Sequence, residues 1–377
     1  MSSTQIEGVL PRYFGGSLAE VLPSAVAALG VTGWTNTFDL VPRGSYVVLL
    51  VDGLGWQLLR DHAHDAPYLS SLAETASPIT CGVPSTTATS LTTLGTGLPP
   101  GAHGVVGFTS LIPGTDRLLD ALRWDKGVDP KKWQVYDTVF GRARADGVAA
   151  SAVSRRAFKD SGLTDVSQRG AEFMAAETAG ERISAAVRCA GGSRSLTYLY
   201  DGELDATGHR FGSSSDAWRH QLAMIDTFAA RLREALSDST ALVVTADHGM
   251  VDIDIESRVD VDAEPELIDG VRVFGGEARF RHLYCEAGAA DDVALRWRER
   301  CGAGAWVVTR DEAIEEGWFG SVDSHVRPRL GDVIVASGAD LAVVSSSRFP
   351  HEASLIGLHG SLTADEMLVP LLVDAPD

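Results

Sequence analysis

Carboxylate and imidazole side chains occur where several apolar stretches of the sequence end. They are Asp52, Asp205, His209, Asp247, His248 and His359, in the segments LLVDGLG, DATGH, TADHG and LHGS. Oxygen and nitrogen donors without thiolates suit Zn²⁺ or Mn²⁺, and three aspartates with three histidines supply three protein ligands to each of two ions. An Asp-Gly pair after a strand is by itself more typical of a turn. The six residues together predict a site for two metal ions.

A block of small hydroxyl residues, VPSTTATS at positions 83–90, offers a group that could attack a bound substrate. Pro84 stands at its start, and an apolar run that reaches Gly95 follows it, so the pattern predicts a loop that enters a short helix. Free N–H groups at a helix N-terminus favour an anionic phosphoryl oxygen. For any one of these Ser and Thr residues other than the nucleophile, capping of the helix is a better interpretation than catalysis.

The elements that must position these residues are buried strands. Ser45–Val51 is a continuous apolar run, and similar runs occupy residues 148–153, 195–200 and 241–245, with helical stretches between them. This alternation predicts an α/β fold with a largely parallel sheet. Residues 216–236 carry apolar side chains at helical spacing, which indicates a helix packed on the core. Ligands of such sheets collect at the carboxyl ends of the strands, where the candidate residues stand.

The sequence pattern changes after about residue 254. Short strand-like pieces at 271–274, 279–285, 306–309 and 333–336 accompany a charged helical stretch at 291–301. We therefore expect a catalytic domain formed by residues 1–253 and 357–377, with an inserted α+β subdomain at 254–356. We interpret the final stretch, 366–373, as a strand that returns to the main sheet.

The bulk composition narrows the class of protein. Of the 377 residues, 45% are hydrophobic and 22% are charged, as in an ordinary soluble globular protein. The formal charge of -19, without a block of Lys and Arg, argues against a polymeric nucleic acid as the substrate. The four scattered cysteines indicate reduced thiols. Since no apolar run could span a bilayer or act as a signal peptide, we expect a cytoplasmic protein without a membrane partner.

Five segments of the sequence resemble the alkaline phosphatase superfamily and, within it, the nucleotide pyrophosphatase/phosphodiesterase branch. They are LLVDGLG, VPSTTATSLTTLGTGLPPGAHGVVG, DATGH, TADHG and LHGS, which occur in the family order and reach from Val47 to His359. The resemblance implies an alkaline-phosphatase-like three-layer sandwich with a largely parallel central sheet. It also implies a metal-dependent phosphoric ester hydrolase that acts on a small-molecule phosphate ester or nucleotide.

Carried over by position, the resemblance implies two zinc sites and a nucleophile. One ion is held by Asp205, His209 and His359. The other is held by Asp52, Asp247, His248 and the hydroxyl of Thr87. The family pattern Pro-Ser/Thr-x-Thr selects Thr87 as the nucleophile that takes up the phosphoryl group, with Thr86 as the fallback in a register error of one residue. Mn²⁺ is an alternative to Zn²⁺ at both sites.

Two departures from the family pattern leave the substrate class open. Phosphodiesterase members usually carry an asparagine that binds a phosphoryl oxygen at the position of Phe108. Arg123, Lys126 or backbone N–H groups could replace it, and Phe108 could instead stack on an apolar leaving group. The glycine spacing after Asp52 is nearer to phosphatases and phosphomutases. A phosphodiesterase or nucleotide pyrophosphatase is the first hypothesis. The alternatives are a phosphomonoesterase, a phosphonoacetate hydrolase, a phosphomutase or a non-catalytic metal-stabilised nucleotide-binding protein.

Two further features allow more than one interpretation. His103, in a Pro-Pro-Gly-Ala-His-Gly loop, is expected to fix that loop in place rather than to bind metal. The segment 275–282, with Arg279, Arg281 and His282, could reach over a phosphate or could form an amphipathic strand face.

Overall fold

The computed structural model describes residues 8–192, 194–338 and 340–376 and shows an α/β fold. In chain order its strands are β1 Ser45–Val51, β2 Ile79–Thr80, β3 Thr109–Leu111, β4 Leu118–Asp120, β5 Ala149–Ser154, β6 Glu172–Ala175, β7 Ser195–Asp201, β8 Thr240–Thr245, β9 Val251–Asp252, β10 Arg258–Asp260, β11 Val271–Glu277, β12 Phe280–Cys285, β13 Ala305–Thr309, β14 Val333–Ser337, β15 Ala342–Val344, β16 Gly357–Leu358, β17 Leu368–Val369 and β18 Leu371–Asp374. Its helices are α1 Val21–Ala28, α2 Trp56–Asp61, α3 Pro67–Ala73, α4 Thr87–Thr96, α5 Pro100–His103, α6 Pro130–Trp133, α7 Val139–Ala145, α8 Gly162–Gln168, α9 Ala179–Ala190, α10 Glu203–Phe211, α11 Asp216–Ala235, α12 Ala290–Cys301, α13 Arg310–Glu315, α14 Pro350–Ser354 and α15 Ala364–Met367.

A six-stranded sheet in the order β18-β8-β1-β7-β5-β6 forms the centre of the molecule. All neighbours in it pair in parallel except β18, which runs antiparallel to β8. Strand β1 lies in the middle, and every one of its residues is buried, because neighbouring elements cover both of its faces. The four predicted strands of the main sheet are confirmed to within one residue at each end.

The register of the central strands brings the candidate residues to one edge. Val51 at the end of β1 is paired with Asp201 at the end of β7, and Leu50 is paired with Thr245 at the end of β8. The three strands therefore end at the same level. The segments that follow them carry Asp52, Asp205 and Asp247, so these side chains emerge close together, as expected for a parallel sheet.

A second, antiparallel sheet in the order β11-β12-β14-β13 follows along the chain. Helix α12 packs on β13 and β14, and Trp297 in this helix belongs to a hydrophobic cluster separate from the main core. Strands β9 and β16 pair with each other, so the chain leaves and re-enters the region of the main sheet at one place. This pairing favours an inserted subdomain at 254–356, and that division of the chain stays a prediction.

The prediction for the final stretch, 366–373, was wrong in part. Glu366 lies in helix α15, and β17 then pairs with β2 rather than with the main sheet. After Pro370, which has no N–H to donate to a strand ladder, β18 joins β8. The stretch therefore belongs to a helix and to strands of two different sheets.

The arginines of segment 275–282 face neither solvent nor substrate, which corrects both earlier interpretations. Strand β12 is buried along its whole length. Arg279 pairs with Glu366 at 2.6 Å, and Arg281 pairs with Glu352, with both arginine side chains fully buried. His282 lies between the carbonyl of Val106 and the N–H of Gly331. These side chains join the second sheet to the rest of the molecule.

Among the described residues, no helix combines the length and the apolar character that a membrane crossing requires. All four cysteines are free thiols, as the sequence predicted.

Candidate active site

The structure brings the six predicted Asp and His ligands together in two adjoining groups, and Thr87 lies beside one of them. One group contains Asp205, His209 and His359, and the other contains Asp52, Asp247 and His248. Within each group, one potential ligand atom from each residue lies within 4.8 Å of the others. His248 and His359 stack with their ring centroids 3.6 Å apart, so the two groups adjoin.

Local structure explains how each side chain reaches the site. Asp52 follows β1 directly, and Asp247 and His248 follow β8 after one residue. Asp205 and His209 lie four residues apart on α10, so both point from the same face of this helix. His359 follows β16, which is held by its pairing with β9. Thr87 is the first residue of α4.

The distances between donor atoms match the coordination shell of a small cation. His209 Nε2 is 3.4 Å from Asp205 Oδ1 and 3.3 Å from His359 Nε2. His248 Nε2 is 3.4 Å from Asp52 Oδ1 and 3.5 Å from Asp247 Oδ2. Tetrahedral ligands at the usual Zn–N and Zn–O bond lengths lie roughly 3.3 Å from each other. Both groups therefore have donors close enough together to share one small cation.

The carboxylates of the site each leave an oxygen without a partner. Asp52 Oδ1, Asp205 Oδ1 and Asp247 Oδ2 are buried and accept no hydrogen bond from the described residues. The other oxygen of Asp52 accepts a hydrogen bond from the Tyr200 hydroxyl. The other oxygen of Asp247 accepts from the N–H groups of Gly53 and His248, at 3.1 and 3.0 Å. Because buried polar atoms are normally satisfied, these unpartnered oxygens fit a cation.

The histidines are held in the tautomer that a metal requires. Their Nδ1 atoms lie 2.7 to 2.9 Å from backbone carbonyl oxygens, those of Gly357 for His209, Gly249 for His248 and Ser85 for His359. Carbonyl oxygens only accept, so each Nδ1 carries a proton and each Nε2 of a neutral ring presents a lone pair to the site.

The pKa shifts in the two ligand groups are those expected of metal ligands in the absence of a bound cation. Burial raises the pKa of Asp52 well above its usual range, and the charges of Asp247 and Asp205 raise it further. Burial also raises the pKa of Asp247. The pKa of His359 is held well below its usual range by burial and then by His248 and His209. Close packing of like groups is unfavourable by itself, and a cation would reverse these effects.

The geometry distinguishes Thr87 from Thr86. Thr87 Oγ1 lies 3.1 Å from His248 Nε2, next to the group formed by Asp52, Asp247 and His248, and the residue is partly exposed. Thr86 is the residue before the helix, is 4% exposed and faces Glu277 instead. The position of Thr87 thus matches that of a nucleophile, with the N-terminus of α4 behind it.

A cavity of about 1000 Å³ opens onto Thr87, Asp205, His209 and His359. Its wall includes the partly exposed apolar side chains of Phe108, Leu118, Phe349 and Leu355. Three exposed arginines, Arg123, Arg210 and Arg348, also line it. Asp52, Asp247 and His248 lie deeper and are completely or almost completely buried. The cavity has space for an organic group beside a phosphoryl group at the metal cluster.

The remaining predicted residues have mixed outcomes. Phe108 and Arg123 line the cavity, whereas Lys126 is exposed and lies outside its lining. His103 fixes its loop, as predicted, since its Nε2 is 3.0 Å from Thr93 Oγ1 and its Nδ1 accepts from the N–H of Val105. Asp201, which ends β7 and was not among the predicted ligands, forms an ion pair with Arg182 at 2.7 Å, outside both ligand groups.

Sequence reasoning missed two residues at the site. Tyr200, in β7, donates to Asp52, and its position as a polar residue near the end of a buried strand was a usable signal. Glu277 lines the cavity from the end of β11. It stands inside the segment 275–282, which drew attention only because of its arginines and its histidine.

Comparison with known proteins identifies the family. The type I phosphodiesterase / nucleotide pyrophosphatase family matches residues 46–362, and the chain belongs to this family, whose members are phosphoric ester hydrolases. A stretch of 64 residues is 41% identical to human ectonucleotide pyrophosphatase/phosphodiesterase family member 7, and 39% identical to the mouse protein. These matches cover 16% of the chain and only 14% and 15% of the two relatives.

Solved structures share the fold over most of the chain. Murine ectonucleotide pyrophosphatase/phosphodiesterase 5, as an inactive variant in complex with AMP, has a TM-score of 0.68 at 18% identity and covers 87% of each chain. Phosphonoacetate hydrolase from Sinorhizobium meliloti 1021, in complex with phosphonoformate, has a TM-score of 0.66 at 20% identity, covering 88% of this chain and 90% of that one. The predicted alkaline-phosphatase-like fold is thereby confirmed.

Proposed function

We propose that the protein hydrolyses phosphodiesters, including nucleotide pyrophosphate or phosphodiester bonds, with two zinc ions and Thr87 as the nucleophile. The observation that carries the proposal is the position of Thr87 Oγ1, 3.1 Å from His248 Nε2 at the junction of the two ligand groups. Membership of the type I phosphodiesterase / nucleotide pyrophosphatase family supports the reaction class.

The choice of zinc rests on the donors of the site. Both groups combine carboxylate oxygens with imidazole nitrogens, without thiolates, and their donors are spaced for bonds of about 2 Å. Mn²⁺ accepts the same donors and is the alternative. When bound, two such ions would lower the pKa of the Thr87 hydroxyl and stabilise negative charge on the phosphoryl and leaving oxygens.

The chain itself supplies the nucleophile and its orientation. The oxygen of Thr87 attacks phosphorus in line, a bond from phosphorus to Thr87 forms, and the bond to the leaving alcohol breaks. Thr87 gives up its proton to solvent water, and the leaving oxygen, of an alcohol or of a phosphate, takes one from water. A water molecule then attacks the phosphothreonine, which restores the hydroxyl and releases the second product. The start of α4 holds Thr87 in place and directs free N–H groups at the phosphoryl oxygens.

The cavity supports an ester with a large organic group. Its volume of about 1000 Å³ greatly exceeds that of a phosphoryl group, and Phe108 and Phe349 offer aromatic surface to a base or another apolar group. Phosphonoacetate is a small polar substrate that would fill little of this space. We therefore prefer a phosphodiester or nucleotide to a phosphonate, a simple monoester or a phosphomutase substrate.

The exposed arginines of the cavity suit an anionic small molecule, which agrees with a nucleotide as the partner. We propose that the protein acts on such small molecules rather than on a polymeric nucleic acid, because its formal charge is -19.

We also propose that the protein is located in the cytoplasm. Fractionation of the native host, with the protein detected by antibody, would test it.

The deciding experiment compares bis-p-nitrophenyl phosphate with p-nitrophenyl phosphate and phosphonoacetate. The enzyme is loaded with zinc, and its metal content is determined in the same preparation. The proposal predicts about two zinc ions per chain and the highest kcat/KM for the diester. A preference for the monoester or for phosphonoacetate would overturn the substrate class, and a protein that binds nucleotide without hydrolysing any ester would overturn the enzymatic function.

A further inference from the structure

Glu277 brings a carboxyl group into the cavity next to the proposed nucleophile. The residue ends strand β11 and is only 6% exposed, yet it lines the same cavity as Thr86, Thr87 and His359. Its Oε1 atom is buried and has no hydrogen-bond partner among the described residues. Outside the metal-ligand groups, it is a buried acidic side chain on the cavity wall with one carboxyl oxygen that lacks a partner.

One glycine makes room for this side chain, and a second lies beside it. A Cβ atom on Gly360 would lie 2.9 Å from Cγ of Glu277, so a larger residue would displace it. A Cβ atom on Gly107 would lie 3.7 Å from Oε1. Gly360 follows the candidate ligand His359, and Gly107 precedes Phe108. Glu277 therefore lies beside the segments that carry Phe108 and His359, and these two residues line the same cavity as Thr87.

The neighbouring arginine, Arg281, forms its ion pair with another residue and not with the carboxyl group of Glu277. Arg281 pairs with Glu352 and donates to the carbonyl of Val343 at 2.8 Å. Its guanidinium also lies 4.7 Å from the ring centroid of Phe274. Burial raises the pKa of Glu277 to about 8, against the opposing effect of hydrogen bonds from Thr86 and the Phe108 backbone. Burial thus favours the protonated form of this carboxyl, and that form can donate a hydrogen bond.

A phosphoryl group next to Thr87 would present oxygens that only accept hydrogen bonds. A carboxyl group can contact such an oxygen favourably when it donates its own proton. We propose that Glu277 binds the phosphoryl group of the substrate and donates a hydrogen bond from its carboxyl to a non-bridging oxygen. This inference rests on the proposed function and assigns to Glu277 the recognition of the group that is transferred.

The test uses zinc-loaded full-length protein and the variants Glu277→Ala and Glu277→Gln. Loss of the donor in Glu277→Ala should lower kcat/KM for bis-p-nitrophenyl phosphate about 100-fold. Glutamine retains an N–H donor at nearly the same place, so Glu277→Gln should stay within about 5-fold of the wild type. Glu234→Gln, the same change in an exposed glutamate outside the cavity wall, is the matched control and should leave kcat/KM within about 2-fold.

A second measurement separates this inference from the proposed function. Calorimetric titration with inorganic phosphate should show affinity reduced about 10-fold in Glu277→Ala and retained in Glu277→Gln, with unchanged zinc content and melting temperature. Wild-type values for Glu277→Ala in both assays, or equal losses in the two variants, would overturn the role of Glu277. A wild type that hydrolyses no ester would overturn the proposed function, and phosphate affinity would still decide whether Glu277 contacts the phosphoryl group.

Discussion

His209 and His359 place their Nε2 atoms 3.3 Å apart, although neither can donate a proton to the other while both rings are neutral. Their Nδ1 atoms bond to the carbonyl oxygens of Gly357 and Ser85, which fixes the protons on the far side of each ring. Two lone pairs thus converge on one point beside Asp205 Oδ1. Such an arrangement is unfavourable by itself and becomes favourable around a cation.

Removing one carboxylate from each ligand group should remove one metal ion at a time. Asp205→Asn and Asp247→Asn each keep the size of the side chain and lose its negative charge. We expect about two zinc ions per wild-type chain and about one in either variant, measured by plasma mass spectrometry after gel filtration. Asp120→Asn should keep the wild-type content. Full occupancy in both site variants would contradict the ligand assignment.

The two threonines at the start of α4 should differ sharply in their effect on catalysis. Thr87→Ala removes the proposed nucleophile and should lower kcat for the diester by at least about 1000-fold. Thr86→Ala should keep kcat within about 10-fold, since Thr86 forms no side-chain cap on α4. Steady-state kinetics on proteins of equal zinc content would compare them. A larger loss in Thr86→Ala would transfer the nucleophile to that residue.

The ion pair between Arg279 and Glu366 should contribute strongly to stability. Both side chains are fully buried, and Glu366→Gln would remove the carboxylate charge that faces the guanidinium at 2.6 Å. We expect the free energy of unfolding to fall by about 3 to 5 kcal/mol, measured by urea denaturation. Glu312→Gln breaks the half-exposed pair with Arg298 and should cost at most about 1 kcal/mol. Equal effects of the two variants would refute this account.

Acid should destabilise the fold through two buried histidines. Burial lowers the pKa of His103 to about 3 and that of His282 to about 4. Below the ordinary histidine pKa of about 6.5, the unfolded chain binds protons that the native protein does not, so stability falls as the pH decreases from 6.5 towards 4. Each histidine contributes up to about 1.4 kcal/mol per pH unit in that range. Urea midpoints between pH 7 and pH 5 would measure the slope.

A variant isolates the contribution of His103. His103→Gln retains hydrogen-bonding groups near Thr93 and Val105 but cannot titrate. We expect a shallower loss of stability between pH 6.5 and pH 5 than in the wild type. An unchanged slope would mean that other groups cause the acid sensitivity.

Much of the fold followed from local sequence patterns. The apolar run at Ser45–Val51 and the helical spacing of the stretch that forms α11 depend on burial alone, and both appear in the structure with nearly the predicted bounds. The structure of the last stretch, 366–373, was harder to predict. Leu368, Leu371 and their neighbours are apolar, and this pattern does not indicate which sheet a strand joins. Which sheet each piece joins depends on partners distant in sequence, such as Thr80 and Thr245.

The candidate site, like the fold, was predictable where it depends on local sequence and not where it depends on packing between distant elements. Asp52 and Asp247 follow buried strands, so the edge of a parallel sheet brings them together without further information. Tyr200 and Glu277 were missed, because one lies inside a strand and the other comes from the second sheet. Their approach to the site depends on packing between elements, which periodicity does not record.

The most direct test of the account is to trap the covalent intermediate. Zinc-loaded enzyme is mixed with bis-p-nitrophenyl phosphate at high concentration, quenched in acid within the first turnovers, digested and analysed by tandem mass spectrometry. The account predicts a p-nitrophenyl phosphoryl ester on Thr87 that forms together with the first equivalent of p-nitrophenolate and is absent from Thr87→Ala. Modification of Thr86 instead, or active turnover with no modified threonine at any time, would contradict it.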